Sequence, residues 1–305
     1  MKWMPVCMVS ALCLGLLGCP TNTPLPVKTP PVAPKPVAQA KPLRIGLALG
    51  GGAAKGFSHI GVIKMLAAQG IKVDMVAGTS AGAVVGAIYA GTGDAYQLQK
   101  IAMSLDKSEL SDWKVPFSGN GGVLKGEKLQ NFINQKVGNR TLQNLKIPFA
   151  AVATNLATGE RIVFRSGNTG LAVRASAAIP NVFEPVVIGK QTYVDGGLSS
   201  PVPVSALKEM GANFVIAVDI SAKPTAEKSS GFFAVFDQTF NIMSLSALKQ
   251  ELAQADVVIR PNVLSHSSTD FDDREKSILE GEQITQSQMV AIKKAIAAKQ
   301  AMLSR

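Results

Sequence analysis

The sequence predicts an α/β fold, and three observations point to it. Hydrophobic residues make up 47% of the 305-residue chain and charged residues 17%, a balance that supports a large apolar core rather than disorder. Twice within the first hundred residues an apolar run of strand character passes through a glycine turn directly into a helical stretch, from Leu43 to Ala68 and from Val73 to about Tyr89. Further short apolar runs then alternate with helical stretches down the chain, without an internal repeat.

Met1 to Gly18 reads as a secretory leader: Lys2 is its only charge, and Val6 to Leu17 is almost wholly apolar. That run is shorter than the roughly 20 residues a membrane-spanning helix needs. Leu16-Leu17-Gly18 stands directly before Cys19 and resembles a bacterial lipoprotein box. The resemblance implies cleavage after Gly18 and lipidation of Cys19. The chain has only three cysteines, Cys7, Cys13 and Cys19, so a mature chain beginning at Cys19 could form no internal disulfide. Residues 19–42 form the expected tether. Eight of the 23 residues from Pro20 to Pro42 are proline and none is acidic, a composition that favours a stiff extended chain reaching as much as ~70 Å at ~3.1 Å per residue, with a partner-recognition segment as the alternative reading of such a run.

The folded domain is expected over residues 43–305. Leu43 to Leu49 reads as a buried strand, and Phe57 to Ala68 as a helix with Ile60, Ile63 and Leu66 on its apolar side. Asp94 to Leu105 and Lys125 to Val137 read as helices either side of a polar loop over 106–121. Ile147 to Thr154 and Glu160 to Arg165 form adjacent strands around Ala157-Thr158-Gly159. Gly170 to Ala178 is a helix stopped by Pro180. Glu184 to Ile188 and Gln191 to Val194 read as strands, Pro203 to Met210 as a helix, and Asn213 to Asp219 and Asp256 to Ile259 as strands. Glu282 to Leu303 closes the domain as a helix with Met289, Ile292, Ile296 and Leu303 on one face.

The net charge is +10, but the basic residues are scattered and only three Tyr and two Trp accompany them. That argues against a nucleic-acid partner and suits an anionic lipid surface. Gly50-Gly51-Gly52-Ala53-Ala54-Lys55-Gly56 could be a phosphate loop, yet Phe57-Ser58 follows Gly56 where a Walker loop needs Lys then Ser or Thr, and Lys55 occupies the third glycine position of a dinucleotide fingerprint. What remains is a row of backbone N–H groups with little over them, suited to an oxyanion. Gly78-Thr79-Ser80-Ala81-Gly82 is a G-x-S-x-G turn between strand and helix, a setting that strains the serine and presents it alone. The chain offers two histidines as bases. His59 lies inside the first helix, where a supporting or core role suits it better, and His266 lies in a Ser-rich loop. Asp195, followed by Gly196-Gly197, and Asp219, followed by Ile220-Ser221, both end apolar strands, and a direct base would have to approach the serine hydroxyl to about 2.6–3.2 Å. The S-x-x-K matches Ser111 to Lys114 and Ser246 to Lys249 lack the partner motifs that would give them meaning. No Cys or His cluster suggests a metal.

Taken in order, the glycine loop, the G-x-S-x-G turn and the D-G-G turn resemble the patatin-like phospholipase family, in its bacterial members related to neuropathy target esterase. Ala175-Ser176-Ala177-Ala178-Ile179-Pro180 resembles a further family block. The resemblance implies a three-layer α/β/α sandwich around a largely parallel sheet. It implies Ser80 as nucleophile and Asp195 as base of a dyad, with amides of Gly50, Gly51 and Gly52 holding the oxyanion. Lys55, Gly56, Gly78, Gly82, Gly196 and Gly197 complete the motifs, and Lys55 stands where many members carry arginine. The implied activity is lipid acyl hydrolysis of phospholipid or lysophospholipid through an acyl-serine, without cofactor or metal. Alternatives are a transacylase or thioesterase on the same dyad, or a non-catalytic lipid-binding lipoprotein. With lipidated Cys19, the expected location is the bacterial cell envelope, on the periplasmic side of the outer membrane. Gly231-Phe232-Phe233-Ala234-Val235-Phe236 is a candidate acyl entrance or membrane contact, with burial in the core as its plain alternative.

Overall fold

The structure, a computed structural model, describes residues 41–109, 112, 124–221, 232–262 and 273–304. The leader over 1–18, Cys19, the tether up to residue 40, Ser111, Lys114 and His266 lie outside the described residues.

β1 (Ile45–Leu49) leads through a 3₁₀ turn at Ala53–Gly56 into α1 (Phe57–Ala68), and β2 (Met75–Thr79) leads through Ser80 into α2 (Ala81–Thr92). α3 (Ala95–Met103) starts at Asp94, whose carboxylate accepts the N–H groups of Tyr96 and Gln97, two donors the first turn of a helix cannot satisfy for itself. α4 (Glu127–Lys136), β3 (Phe149–Asn155), β4 (Arg161–Phe164) and α5 (Thr169–Ser176) follow. Next come β5 (Val186–Ile188), β6 (Gln191–Asp195), α6 (Val204–Glu209), β7 (Phe214–Val218), α7 (Phe232–Leu252), β8 (Val257–Ile259) and α8 (Arg274–Leu303).

The strands form one sheet in the order β5-β6-β3-β2-β1-β7-β8, with β4 also paired to β3. β1 pairs in parallel with β2 and β7, β2 with β3, and β7 with β8, whereas β4 and β6 run antiparallel to β3, and β5 antiparallel to β6. The expected largely parallel sandwich is present, carrying an antiparallel wing at one side. Because successive strand residues point to opposite faces, alternate residues enter two different cores. Leu47, Leu49, Val76, Phe149, Phe214, Ile216 and Val218 face α1, α2 and α8. Ala48, Ala77, Ala150, Val152, Val215 and Ala217 face α6 and α7. The first face carries the larger side chains, each worth about 1.5–3 kcal/mol when buried. The smaller side chains of the second let α6 settle closely on β1: a Cβ at Gly46 would press into Leu207 and Ala212.

α8 lies along α1, and the two cross where glycine meets backbone on both sides. A Cβ at Gly61 would overlap the Ile278 carbonyl oxygen, and one at Gly281 the Ser58 carbonyl oxygen. α8 therefore begins at Arg274, two turns before the expected Glu282. Arg274 also donates to the carbonyls of Ala102, Met103 and Leu105, capping the end of α3 with a cation. α7 is a helix the sequence reading did not anticipate. It begins at Phe232, and its buried Ser244 and Glu251 face inward while Ile242 and Met243 are exposed. The side chains of Phe232, Phe233 and Phe236 lie outside the description.

Candidate active site

β1 sits where the strand order turns both ways, β2 and β3 to one side and β7 and β8 to the other. Such a switch point opens a crevice beyond the strand ends, and both glycine turns lie there. Ser80 is the first turn residue after β2, with φ 55° and ψ −122°, a conformation a side chain adopts only at a cost of about 1–3 kcal/mol. The surroundings enforce it. A Cβ at Gly78 would overlap the Gly82 carbonyl, and one at Gly82 would overlap the Leu49 carbonyl oxygen and lie 2.7 Å from that of Gly50. Gly78 lets the end of β2 fold back against the start of α2, and Gly82 lets that start lie directly on the end of β1. The Ser80 N–H donates to Ser176 Oγ at 3.0 Å, and the Ser80 carbonyl accepts the N–H groups of Ala83 and Val84. The neighbouring Thr79 hydroxyl donates to the Ser200 carbonyl, and the Ser200 hydroxyl donates to the buried carboxylate of Glu251 on α7.

Asp195 ends β6, paired with Ala153 on β3. Its Oδ1 accepts the Gly197 N–H at 2.7 Å, while Oδ2 is buried and makes no hydrogen bond. Burial pushes its pKa up to about 6, against the opposing pull of the Ser80 side chain and the Gly197 amide. Asp195 is 1% exposed and Ser80 6%. The structure thus brings the two residues close, without ordinary hydrogen-bond geometry between the hydroxyl and the carboxylate. Apo sites often tighten only on binding.

The glycine loop corrects one expectation. The Gly50 N–H donates to the Val218 carbonyl and the Gly51 N–H to the Pro201 carbonyl, each at 3.0 Å, so neither amide is open to an oxyanion. They instead tether the loop to the end of β7 and to the segment that leads into α6. The next two amides, of Gly52 and Ala53, make no hydrogen bond among the described residues, and Ala53 holds a positive φ of 50°. Lys55 is buried within the 3₁₀ turn and Gly56 packs against Ala81, so both motif residues are part of the turn itself.

His59 is wholly buried and its Nε2 lies 2.8 Å from the Gly50 carbonyl oxygen. An oxygen can only accept, so Nε2 carries the proton, and Nδ1 is left buried without a partner. Burial lowers its pKa to about 4, so the ring is neutral near pH 7. It supports the loop and does not face Ser80 as a base, which is the supporting role its sequence position suggests. Asp219 accepts from Ser221 and from Arg260 Nε, and both of its oxygens are engaged. It is a satisfied strand-end carboxylate. Ser246 and Lys249 both lie exposed on α7. Among the described residues no group of three or more His, Cys, Asp or Glu side chains gathers as a metal site would.

A serine held at positive φ in a strand-to-helix turn, beside a glycine loop at the head of a mostly parallel sheet, places the chain among α/β proteins of the three-layer sandwich class. The chain belongs to the patatin-like phospholipase family, matching it over residues 47–208. Curated relatives include an uncharacterised NTE family protein of Mycobacterium tuberculosis, 36% identical over 178 residues, covering 58% of this chain and 49% of that protein. Lysophospholipase NTE1 of Scheffersomyces stipitis is 29% identical over 203 residues, covering 64% of this chain and 13% of that protein. The chain thus spans about half or less of the length of these relatives. VipD from Legionella pneumophila shares the fold with a TM-score of 0.56 at 17% identity, covering 83% of this chain and 68% of that one.

Proposed function

We propose that this chain is a serine lipid acyl hydrolase of phospholipase A or lysophospholipase type, working through Ser80 and Asp195. The observation that carries the reading is the pairing of a strained, isolated serine with a buried carboxylate whose free oxygen has no other partner. The family membership and the lysophospholipase name of one relative favour a lipid ester as substrate. Ser80 Oγ attacks the ester carbonyl as Asp195 Oδ2 takes its proton. The Gly52 and Ala53 amides receive the developing oxyanion, a contribution of about 3–4 kcal/mol for one well-placed donor. Asp195 then protonates the departing alcohol, leaving the acyl group on Ser80. A water molecule, deprotonated by Asp195, releases the fatty acid and restores the serine.

A carboxylate with a pKa near 6 suits this exchange better than an ordinary aspartate: it is ionised at neutral pH yet basic enough to hold a proton. The test is fatty-acid release from mixed phospholipid and lysophospholipid vesicles by the protein, beside Ser80→Ala and Asp195→Asn. Loss of release by a factor of 10³ or more in both folded variants is the expected result. Full activity in Asp195→Asn would remove the dyad. Addition of alcohol acceptors separates hydrolysis from transacylation, because a transacylase makes a new ester.

The segment before the domain supports a location for this activity. Cys19 after Leu16-Leu17-Gly18, followed by the proline-rich stretch, fits a lipidated anchor and spacer that hold the domain beside the envelope lipid it cuts. Metabolic labelling with a fatty acid should mark the protein and fail in Cys19→Ser.

A further inference from the structure

The block Ala175 to Pro180 has no part in the chemistry above, yet it touches the backbone of both reacting residues. Ser176, the last residue of α5, is fully buried. Its hydroxyl accepts the Ser80 N–H at 3.0 Å and donates to the Val152 carbonyl of β3 at 2.5 Å. Two residues on, the Ala178 carbonyl accepts the Asp195 N–H at 2.9 Å. β3 completes the frame: Val152 takes the Ser176 hydroxyl, and the next residue, Ala153, pairs with Asp195. Ser80 is the N-cap of α2, so its N–H has no acceptor within the helix, and a buried donor without a partner would cost about 1–3 kcal/mol. A hydroxyl is the smallest side-chain group that both accepts and donates, and here both capacities are used.

We propose that Ser176 is a positioning residue that sets the distance and angle between Ser80 and Asp195. It holds the elbow by one hydrogen bond, while the turn that follows it holds the strand end that carries Asp195. The proposal rests on the reading of Ser80 and Asp195 as a reacting pair.

The test compares Ser176→Ala, Ser176→Thr and Ser176→Val in the full chain. Thr and Val have nearly the same bulk and differ by the hydroxyl, so their contrast isolates the hydrogen bonds from packing. Expected are a 10- to 100-fold fall in kcat for Ala and Val with KM within about twofold, and a milder loss for Thr. The acid limb of the rate profile should move to higher pH in Ala and Val, because a displaced Ser80 no longer stabilises the Asp195 charge. Labelling of Ser80 by a fluorophosphonate should slow in parallel. Ala and Val variants that keep the parental kcat and acid limb would overturn the proposal, as would equal losses in Thr and Val that simply follow Tm. If the parent itself neither hydrolyses lipid ester nor labels, the proposed function fails and this role with it. An active, labelled parent beside an unaffected Ser176→Val removes the positioning role alone.

Discussion

The two glycine turns at the head of the sheet follow the same local recipe, strand then glycines then helix, and reach opposite ends. After β2 the crowding is used to push one side chain out: Gly78 and Gly82 let the backbones touch, and Ser80 takes the strain. After β1 the crowding fastens the loop down. Gly50 and Gly51 spend their amides on Val218 and Pro201, and His59 grips the Gly50 carbonyl, so that the following amides stay open. The buried ionisable groups differ in the same way. Asp195 beside the elbow is held with a raised pKa, while His59 beneath the loop is held neutral with a lowered one. A glycine motif therefore states that backbone comes close. What that closeness does is decided by the neighbours.

The largest effect should come from the elbow. Gly82→Ala drives a methyl group into the Leu49 carbonyl and wedges the two turns apart, so a loss of more than about 4 kcal/mol, or no soluble protein, is expected on denaturant unfolding. Gly51→Ala places its Cβ 3.3 Å from that of Ser80, with nothing closer. It should fold with a fall in Tm of a few degrees and, on the proposed function, lose activity by crowding Ser80. Equal stability losses in the two variants would erase the distinction between the turns.

The carboxylate gives the next effect. Its pKa is about 6 in the fold, against the ordinary value of 3.8, so the folded state binds more protons than the unfolded state between those limits. Its contribution to stability therefore declines as pH rises from about 4 to about 6 and is flat above. Asp195→Asn removes that decline, and should be more stable than the parent by up to about 3 kcal/mol at pH 8 but little different at pH 4. Urea unfolding of both proteins at pH 4, 6 and 8 measures it.

His59→Phe is the smallest of the three. It leaves the Gly50 carbonyl without its donor, at about 1–2 kcal/mol. It also removes a slope of opposite sign, since the parent's stability at this group grows as pH rises from about 4 to 6.5. Urea midpoints against pH should flatten in the variant over that interval, with kcat reduced about tenfold through a loosened loop. An unchanged pH dependence would mean that His59 carries no such burden.

The three glycine-bearing turns and their strand contexts are legible because glycine, serine and aspartate announce themselves locally, and the alternation of large and small residues in β1 and β7 follows from the pleat. Which amides stay open is not legible, because Gly50 and Gly51 are claimed by the carbonyls of Val218 and Pro201, 168 and 150 residues further along the chain. The role of His59 depends on the same folded loop. α7 is hidden in the sequence because Phe232 to Leu252 mixes apolar and polar residues without one clean stripe, and the early start of α8 is hidden because Gly281 is a crossing point with α1 that only the folded chain reveals. Ser176 stood in a recognised block with nothing in its own neighbourhood to say that its hydroxyl reaches Ser80.

The strand order also sets a timetable. β1 lies between a partner that follows it closely, β2, and one that arrives some 165 residues later, β7. At ribosomal speeds of about 5–20 residues per second, that gap lasts roughly ten to thirty seconds. Throughout it one edge of the central strand stands open and the Gly50 amide has no Val218 to bind. The nascent chain thus carries its serine turn long before the opposite wall of the crevice exists, and for that interval it is an unfinished sheet in need of shelter.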